Sequence, residues 1–274
     1  YLYDMADGSL RNMTEIERVS AYNGGLFLIP GDPPRWGFTA LINGISHPFV
    51  MDLDGRNKRN LSQNKDGFAY GFSASPDGKQ VTYHQDYKIY IADADGGNAR
   101  IIGTGNTFNF VPQWSPDGAW ILFVSGEHYN CHPHVVKRDG TGLRKLADRQ
   151  GYSGVMTVYD VFDFHGGSSD VPVWSMDGKY IYYTAKVGEA FELMRVTLDG
   201  VSEQLTRSAA GVHHYHVRPA PDGESIAFGS TRSGVRQLYT AGLDASDAQP
   251  ITNLPEGNGA MWAHWRPSPE GSAS

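Results

Sequence analysis

One cysteine in 274 residues leaves the chain without an internal disulfide, and Cys131 alone does not fix the redox compartment. No apolar run approaches the roughly 20 residues that cross a bilayer, so no membrane span is expected. No Lys or Arg run stands out and the net charge is −7. The basic footprint of a nucleic-acid binder is therefore missing. An acidic ligand held by a local cluster of arginine and metal is still compatible with that charge. Amphipathic helical patterning with caps is absent, which points to an all-β chain. A G-x-S-x-G nucleophile elbow is also lacking, and this argues against serine hydrolysis. The sequence opens at Tyr1 with no signal-like segment, as a processed or trimmed form would.

Glycine and proline are abundant, 33 and 15 residues, and they recur in order. Ser75-Pro76-Asp77-Gly78 returns as Ser115-Pro116-Asp117-Gly118, and as variants beginning at Ser175, Ala220 and Ser268. A second signal interleaves: Ala6-Asp7-Gly8, Leu53-Asp54-Gly55, Ala94-Asp95-Gly96, Arg138-Asp139-Gly140 and Leu198-Asp199-Gly200. Proline presets φ, aspartate bonds back to the local backbone, and glycine takes the positive φ. Short alternating strands such as Trp120-Ile121-Leu122-Phe123-Val124 run between these turns. Units of about 40 to 50 residues, each a four-stranded antiparallel sheet, predict a β-propeller.

The expected blades are residues 18–65, 66–105, 106–150, 151–208 and 209–254. A sixth is closed by pairing 255–274 with 1–17, so that residues 1–274 form a single domain. Both Asp-Gly turn sets then share one face. His47 and His84 fall in or beside the loops of the opposite face, and His128, His132 and His134 in one such loop. His165 lies in a long entry loop; His213, His214 and His216 enter an inner strand; His264 begins the closing one. All ten histidines thus gather on the face opposite the Asp-Gly turns. Longer, more polar loops account for part of this bias, and a functional face accounts for the rest.

In a regular strand His214 and His216 point the same way, so their imidazoles can share an ion with His165 as third ligand. The alternative is that they hydrogen-bond within loops. Glu127-His128-Tyr129-Asn130-Cys131-His132-Pro133-His134 offers a general base near neutral pH, against the plainer reading of a buried thiol among loop histidines. The segment from Phe162 to Asp170 is about twice the usual loop length, a common mark of function. Its His165, Ser168 and Asp170 imitate a hydrolytic triad in composition alone. Arg232 and Arg236 suit a carboxylate. His264, flanked by Trp262 and Trp265, and Tyr152 with Trp36 suit the edge of a sugar site.

The Ser-Pro-Asp-Gly repeats and the stretch Arg232-Ser233-Gly234-Val235-Arg236-Gln237-Leu238-Tyr239 resemble the TolB-like propeller superfamily. The histidine-bearing segments are similar to the propeller-type polysaccharide lyases, namely oligogalacturonate lyases and ulvan lyases, which have seven blades where six are counted here. The resemblance implies manganese at His165, His214 and His216, with zinc or calcium as other divalent ions. A glutamine that helps hold the ion in oligogalacturonate lyases has no counterpart just before His214. From the ulvan lyases it implies roles for Tyr215 and Arg232. The expected function is β-elimination in a uronic-acid-containing polysaccharide or oligosaccharide, in a periplasmic or secreted protein. In that scheme His128 or His134 is the base, Tyr215 the acid and Arg232 the carboxylate partner, while Arg236, Tyr152 and His264 contact substrate. The alternative is a non-catalytic TolB-like module that presents the same face to a protein or glycan. The propeller of a larger peptidase is a third reading, disfavoured because no hydrolase segment follows.

Overall fold

The computed structural model describes residues 2–3, 6–16, 18–19, 26–62, 69–127, 130–152 and 170–265. Among them every regular element is a β-strand. Two compact units make up the chain, Tyr1–Ile121 and Leu122–Ser274.

In the first unit, β1 (Leu2–Tyr3) pairs with β2 (Leu10–Arg11). A five-stranded sheet follows: β3 (Arg18–Val19), β4 (Phe27–Ile29), β5 (Arg35–Ile42), β6 (Ile45–Asp52) and β7 (Arg59–Asn60), with β3 and β4 both paired to β5. Next come β8 (Ala69–Ala74), β9 (Gln80–Gln85), β10 (Lys88–Asp93) and β11 (Arg100–Ile102), an antiparallel four-stranded sheet in sequential order. A third sheet is built from β12 (Phe108–Trp114), β13 (Trp120–Glu127), β14 (Asn130–Lys137) and β15 (Arg144–Lys145); the division between the units falls inside β13. The second unit adds β16 (Val173–Trp174), β17 (Tyr180–Val187), β18 (Ala190–Thr197) and β19 (Ser202–Gln204). Its last sheet is β20 (His214–Pro219), β21 (Ser225–Ser230), β22 (Gln237–Gly242) and β23 (Gln249–Pro250). The five sheets fall within the five segments expected from the repeat. The expected closure by 255–274 and 1–17 involves residues outside those described.

The repeated turns have one construction. Ser75 Oγ donates to Asp77 Oδ1 at 2.6 Å and Gly78 N–H to the Ser75 carbonyl at 2.8 Å, with Gly78 at a φ of 65°. Ser115 with Asp117 and Ser175 with Asp177 repeat the bond at 2.5 and 2.7 Å. Middle strands are buried along nearly their whole length, as in β13 and β14, because they have packing on both faces. The first unit packs Val81, Tyr83, Phe72 and Val50 into one core cluster, and the second packs Leu193, Val217, Ile226 and Phe228 into another.

Two local features bear on function. In β8 the register shifts between Tyr70 and Ser73, and Gly71 there has a φ of 63°. Val111 in β12 has a φ of 45°, and its N–H donates to His84 Nδ1 at 3.2 Å. A Cβ on Gly71 would lie 2.6 Å from Val111 Cα, so only glycine fits this approach. The second feature corrects the sequence reading: His132 and His134 belong to β14 and are buried, not part of a loop. Likewise His47 pairs with Ala40 inside β6. Both strands carry a proline after a histidine, a pattern that reads as loop. The pairing survives because Pro48 and Pro133 offer their carbonyls to Leu61 and Leu146, each at 2.9 Å.

Candidate functional site

Strand β20, the first of its sheet, opens with His214-Tyr215-His216. Tyr215 pairs with Gly229 and Arg218 with Ala227, so one extra residue is inserted between these pairs. His216 sits in the bulge with a φ of 53°, a left-handed conformation that few non-glycine residues adopt. The bulge interrupts the two-residue alternation on which the argument for a shared ion rests. The two imidazoles take different partners.

His214 is buried, with Nε2 at 2.8 Å from Ser208 Oγ and 3.5 Å from Glu192 Oε2. Burial, and after it the charge of Arg232, pushes this imidazole down to about 3, so it is neutral at physiological pH. Glu192 is buried as well. It accepts hydrogen bonds from Ser208 N–H at 2.6 Å, from the Ser208 hydroxyl at 3.2 Å and from the Thr206 hydroxyl.

His216 faces another set. Its N–H donates to Asp170 Oδ1 at 2.9 Å, its Nδ1 lies 3.7 Å from the same oxygen, and its ring stacks on Trp262 at 5.1 Å. Asp170 Oδ2 meets the Arg149 guanidinium at 3.4 Å. Arg149 is wholly buried. It donates from Nε to the Thr184 carbonyl at 2.7 Å and lies 3.9 Å over the Tyr152 ring, while its backbone N–H donates to His132 Nδ1 at 3.1 Å. A buried chain thus runs from His132 through Arg149 and Asp170 to His216. It ends on Trp262, which is 53% exposed.

Several charged side chains gather around this strand. Arg149 and Arg218 act on Asp170, Arg232 on His214 and Arg236 on His213. Among the described residues, four guanidiniums and two carboxylates, Asp170 and Glu192, lie about this strand. The chain as a whole carries −7.

The other expected site residues lie as follows. His134 Nδ1 is 2.9 Å from the His132 carbonyl, which makes Nδ1 the protonated nitrogen, and its ring stacks on Phe123. Burial lowers its pKa. Tyr215 is buried against Gly229; its hydroxyl donates to the Ala260 carbonyl at 2.8 Å, and burial raises its pKa. Arg232 is exposed with its guanidinium 4.8 Å over Tyr239, while Arg236 lies 5.4 Å over Tyr215. His264 is exposed. Tyr152 is buried between Arg149 and Phe191, so it does not present the exposed ring expected of a sugar platform. Trp262 does. His128 and His165 lie outside the described residues.

Manganese, or another divalent ion, at His165, His214 and His216 meets a mixed setting. Among the described residues no group of three or more His, Cys, Asp or Glu is arranged to hold a metal. The carboxylate beside His216 is already matched by guanidinium. Without His165, the described residues do not fit a metal centre. The sequence reading also missed Arg149, Arg218 and Glu192. They act across long separations, 21 residues from Arg149 to Asp170 and 46 from Asp170 to His216, and no local pattern marks them.

No protein-family model matches the chain. An uncharacterised protein of Agrobacterium fabrum is 31% identical over 151 residues, 49% of this chain and 50% of that protein. The Tol-Pal system protein TolB of Bordetella pertussis is 32% identical over 163 residues, 59% of this chain and 33% of that protein. The match therefore spans about half of the first relative and a third of the second. Among solved structures, an oligogalacturonate lyase from Vibrio parahaemolyticus superposes with a TM-score of 0.66 at 14% identity, over 95% of this chain and 73% of that one. An oligogalacturonate lyase in complex with manganese gives 0.61 at 14% identity, over 83% and 64%. A puromycin-hydrolysing peptidase of Mycobacterium tuberculosis gives 0.62 at 16% identity, over 89% and 40%.

Proposed function

From the premise that this chain has a TolB-like β-propeller fold, we propose that it is a polysaccharide lyase acting on uronic-acid-containing glycans. The observation that best supports this reading is the pair of guanidiniums, Arg232 and Arg236, that act on His214 and His213, beside the exposed Trp262 stacked on His216. An acidic sugar needs both features: guanidinium for its carboxylate and an aromatic face for its ring.

β-Elimination requires neutralisation of the C6 carboxylate, a base for the C5 proton and an acid for the departing O4. Arg232 and Arg236 take the carboxylate, and the charge they neutralise is the one that grows as the C5 proton leaves. A neutral imidazole, His134 or His128, takes the proton. Tyr215 keeps its proton and supplies it to the leaving oxygen in exchange for the Ala260 carbonyl. Trp262 and His264 border the sugar, and Tyr152 supports the site from below through Arg149. The ion at His165, His214 and His216 is a separate proposal, and none of these steps passes through it. Residues 1–274 are proposed to act as one propeller domain. A periplasmic or secreted location follows from a polysaccharide substrate; no helix among the described residues is long and apolar enough to cross a membrane.

The test is ultraviolet absorbance of unsaturated uronate. The protein is incubated with polygalacturonate, oligogalacturonates, ulvan and other glucuronate-containing glycans, with and without chelator. Absorbance rises on at least one substrate if the reading holds, and chelator sensitivity decides for or against the ion. Silence on every substrate overturns it. The second reading, a non-catalytic module binding a protein or glycan, draws on the 32% identity to TolB.

A further inference from the structure

The hairpin tip between β9 and β10 carries a feature that the lyase reading does not use. Lys88 pairs with Gln85, so the turn is the dipeptide Asp86-Tyr87, with φ values of 48° and 60°. Two left-handed residues in a row make the turn that Asn-Gly or Asp-Gly serves best. The hairpin between β5 and β6 uses Asn43-Gly44 for it, at 51° and 80°. Tyrosine in the glycine place strains the backbone, so this turn is not explained by ease of folding.

The ring it sets in place is 42% exposed. It stands 4.9 Å from Phe108 and 5.3 Å from Phe110, and His84 meets Phe110 edge-on at 5.6 Å. Buried Asn109 donates Nδ2–H to the carbonyls of Tyr87 at 2.7 Å and of Asn106 at 3.0 Å, which ties the tip to the loop before β12. Asp86, Thr104, Asn106 and Thr107 are the short polar side chains on these two segments. An aromatic face with such neighbours suits a sugar ring, whose C–H face stacks on the aromatic while its hydroxyls meet the polar groups. The charged side chains flanking the ring, Asp86 and Lys88, are exposed and of opposite sign, so the tip offers a uronate carboxylate no net positive charge.

We propose that Tyr87, backed by Phe108, is a binding subsite for a neutral hexose or pentose unit of a glycan. The inference does not rest on the lyase reading, because these residues take no part in it. The test is calorimetric titration with cellohexaose and xylohexaose, with hexagalacturonate as the charged control. The wild type binds at least one neutral hexaose, and Tyr87→Gly leaves any binding of hexagalacturonate at its wild-type level. Tyr87→Gly, which suits the turn, keeps cooperative thermal unfolding and loses about tenfold in affinity, the scale of one aromatic contact. Tyr87→Trp restores binding. Should glycine loosen the sheet, Tyr87→Asn serves the same purpose, since asparagine tolerates the left-handed region. Failure of both neutral hexaoses to bind overturns the proposal. Undiminished affinity in the folded Tyr87→Gly or Tyr87→Asn protein does so too. Neutral sugars are not β-elimination substrates, so these outcomes are independent of lyase activity.

Discussion

In the unit Tyr1–Ile121, Val111 takes a φ of 45° and gives its N–H to an uncharged acceptor, His84 Nδ1. In the unit Leu122–Ser274, His216 takes a φ of 53° and gives its N–H to Asp170. The backbone problem is the same: a left-handed residue on the first strand of a four-stranded sheet, with a donor wholly or partly buried that must be met. The solutions differ in charge. A ring nitrogen settles the first without a counterion. A buried carboxylate in the second requires a counterion, and the wholly buried Arg149 meets that need, with Arg218 nearby. The contrast separates scaffold from site: the bulge recurs in β8 and β20, whereas among the described residues the charged network lies at the strand bearing His214 and His216.

The largest effect expected from this contrast is in stability. Asp170→Ala leaves Arg149 buried without its carboxylate, and losses of about 3–5 kcal/mol follow such removal. His84→Ala leaves one backbone donor unmet, about 1–3 kcal/mol. Urea unfolding of the two variants compares them directly. Equal losses would erase the distinction between a charged and an uncharged solution.

Acid sharpens the same comparison at smaller scale. Burial, reinforced by the charge of Lys145 and opposed by Asp148, pushes His132 down to about 4 from its ordinary 6.5. The unfolded chain therefore takes up this proton first as pH falls. The contribution of His132 to stability is complete above 6.5. It is lost between 6.5 and about 4, at no more than about 1.4 kcal/mol per pH unit. His132→Gln is expected to flatten the curve of stability against pH in that window by up to one proton. An unchanged slope would show that the imidazole is solvated.

Much of the scaffold was legible in the sequence. Pro-Asp-Gly and Asp-Gly turns act within four or five residues, as the Ser75 and Asp77 bond shows, and they mark out the five sheets. The histidine pair was legible too, since two imidazoles flanking one tyrosine need no partner to be noticed. Its geometry was not. A bulge changes the register by one residue through pairing with another strand, and nothing in His214-Tyr215-His216 announces it. The same holds for the buried position of His132 and His134: Pro133 signals a loop locally, while packing on both faces of β14 decides for a strand.

The most direct test exchanges both left-handed residues for glycine, which tolerates that conformation at either place. The affinity of His216→Gly and Val111→Gly for oligogalacturonates would be measured by calorimetry beside the wild type, with unfolding curves confirming that both fold. His216→Gly is expected to lose binding while Val111→Gly binds as the wild type does. Binding undiminished in His216→Gly, or lost equally in both variants, would contradict it.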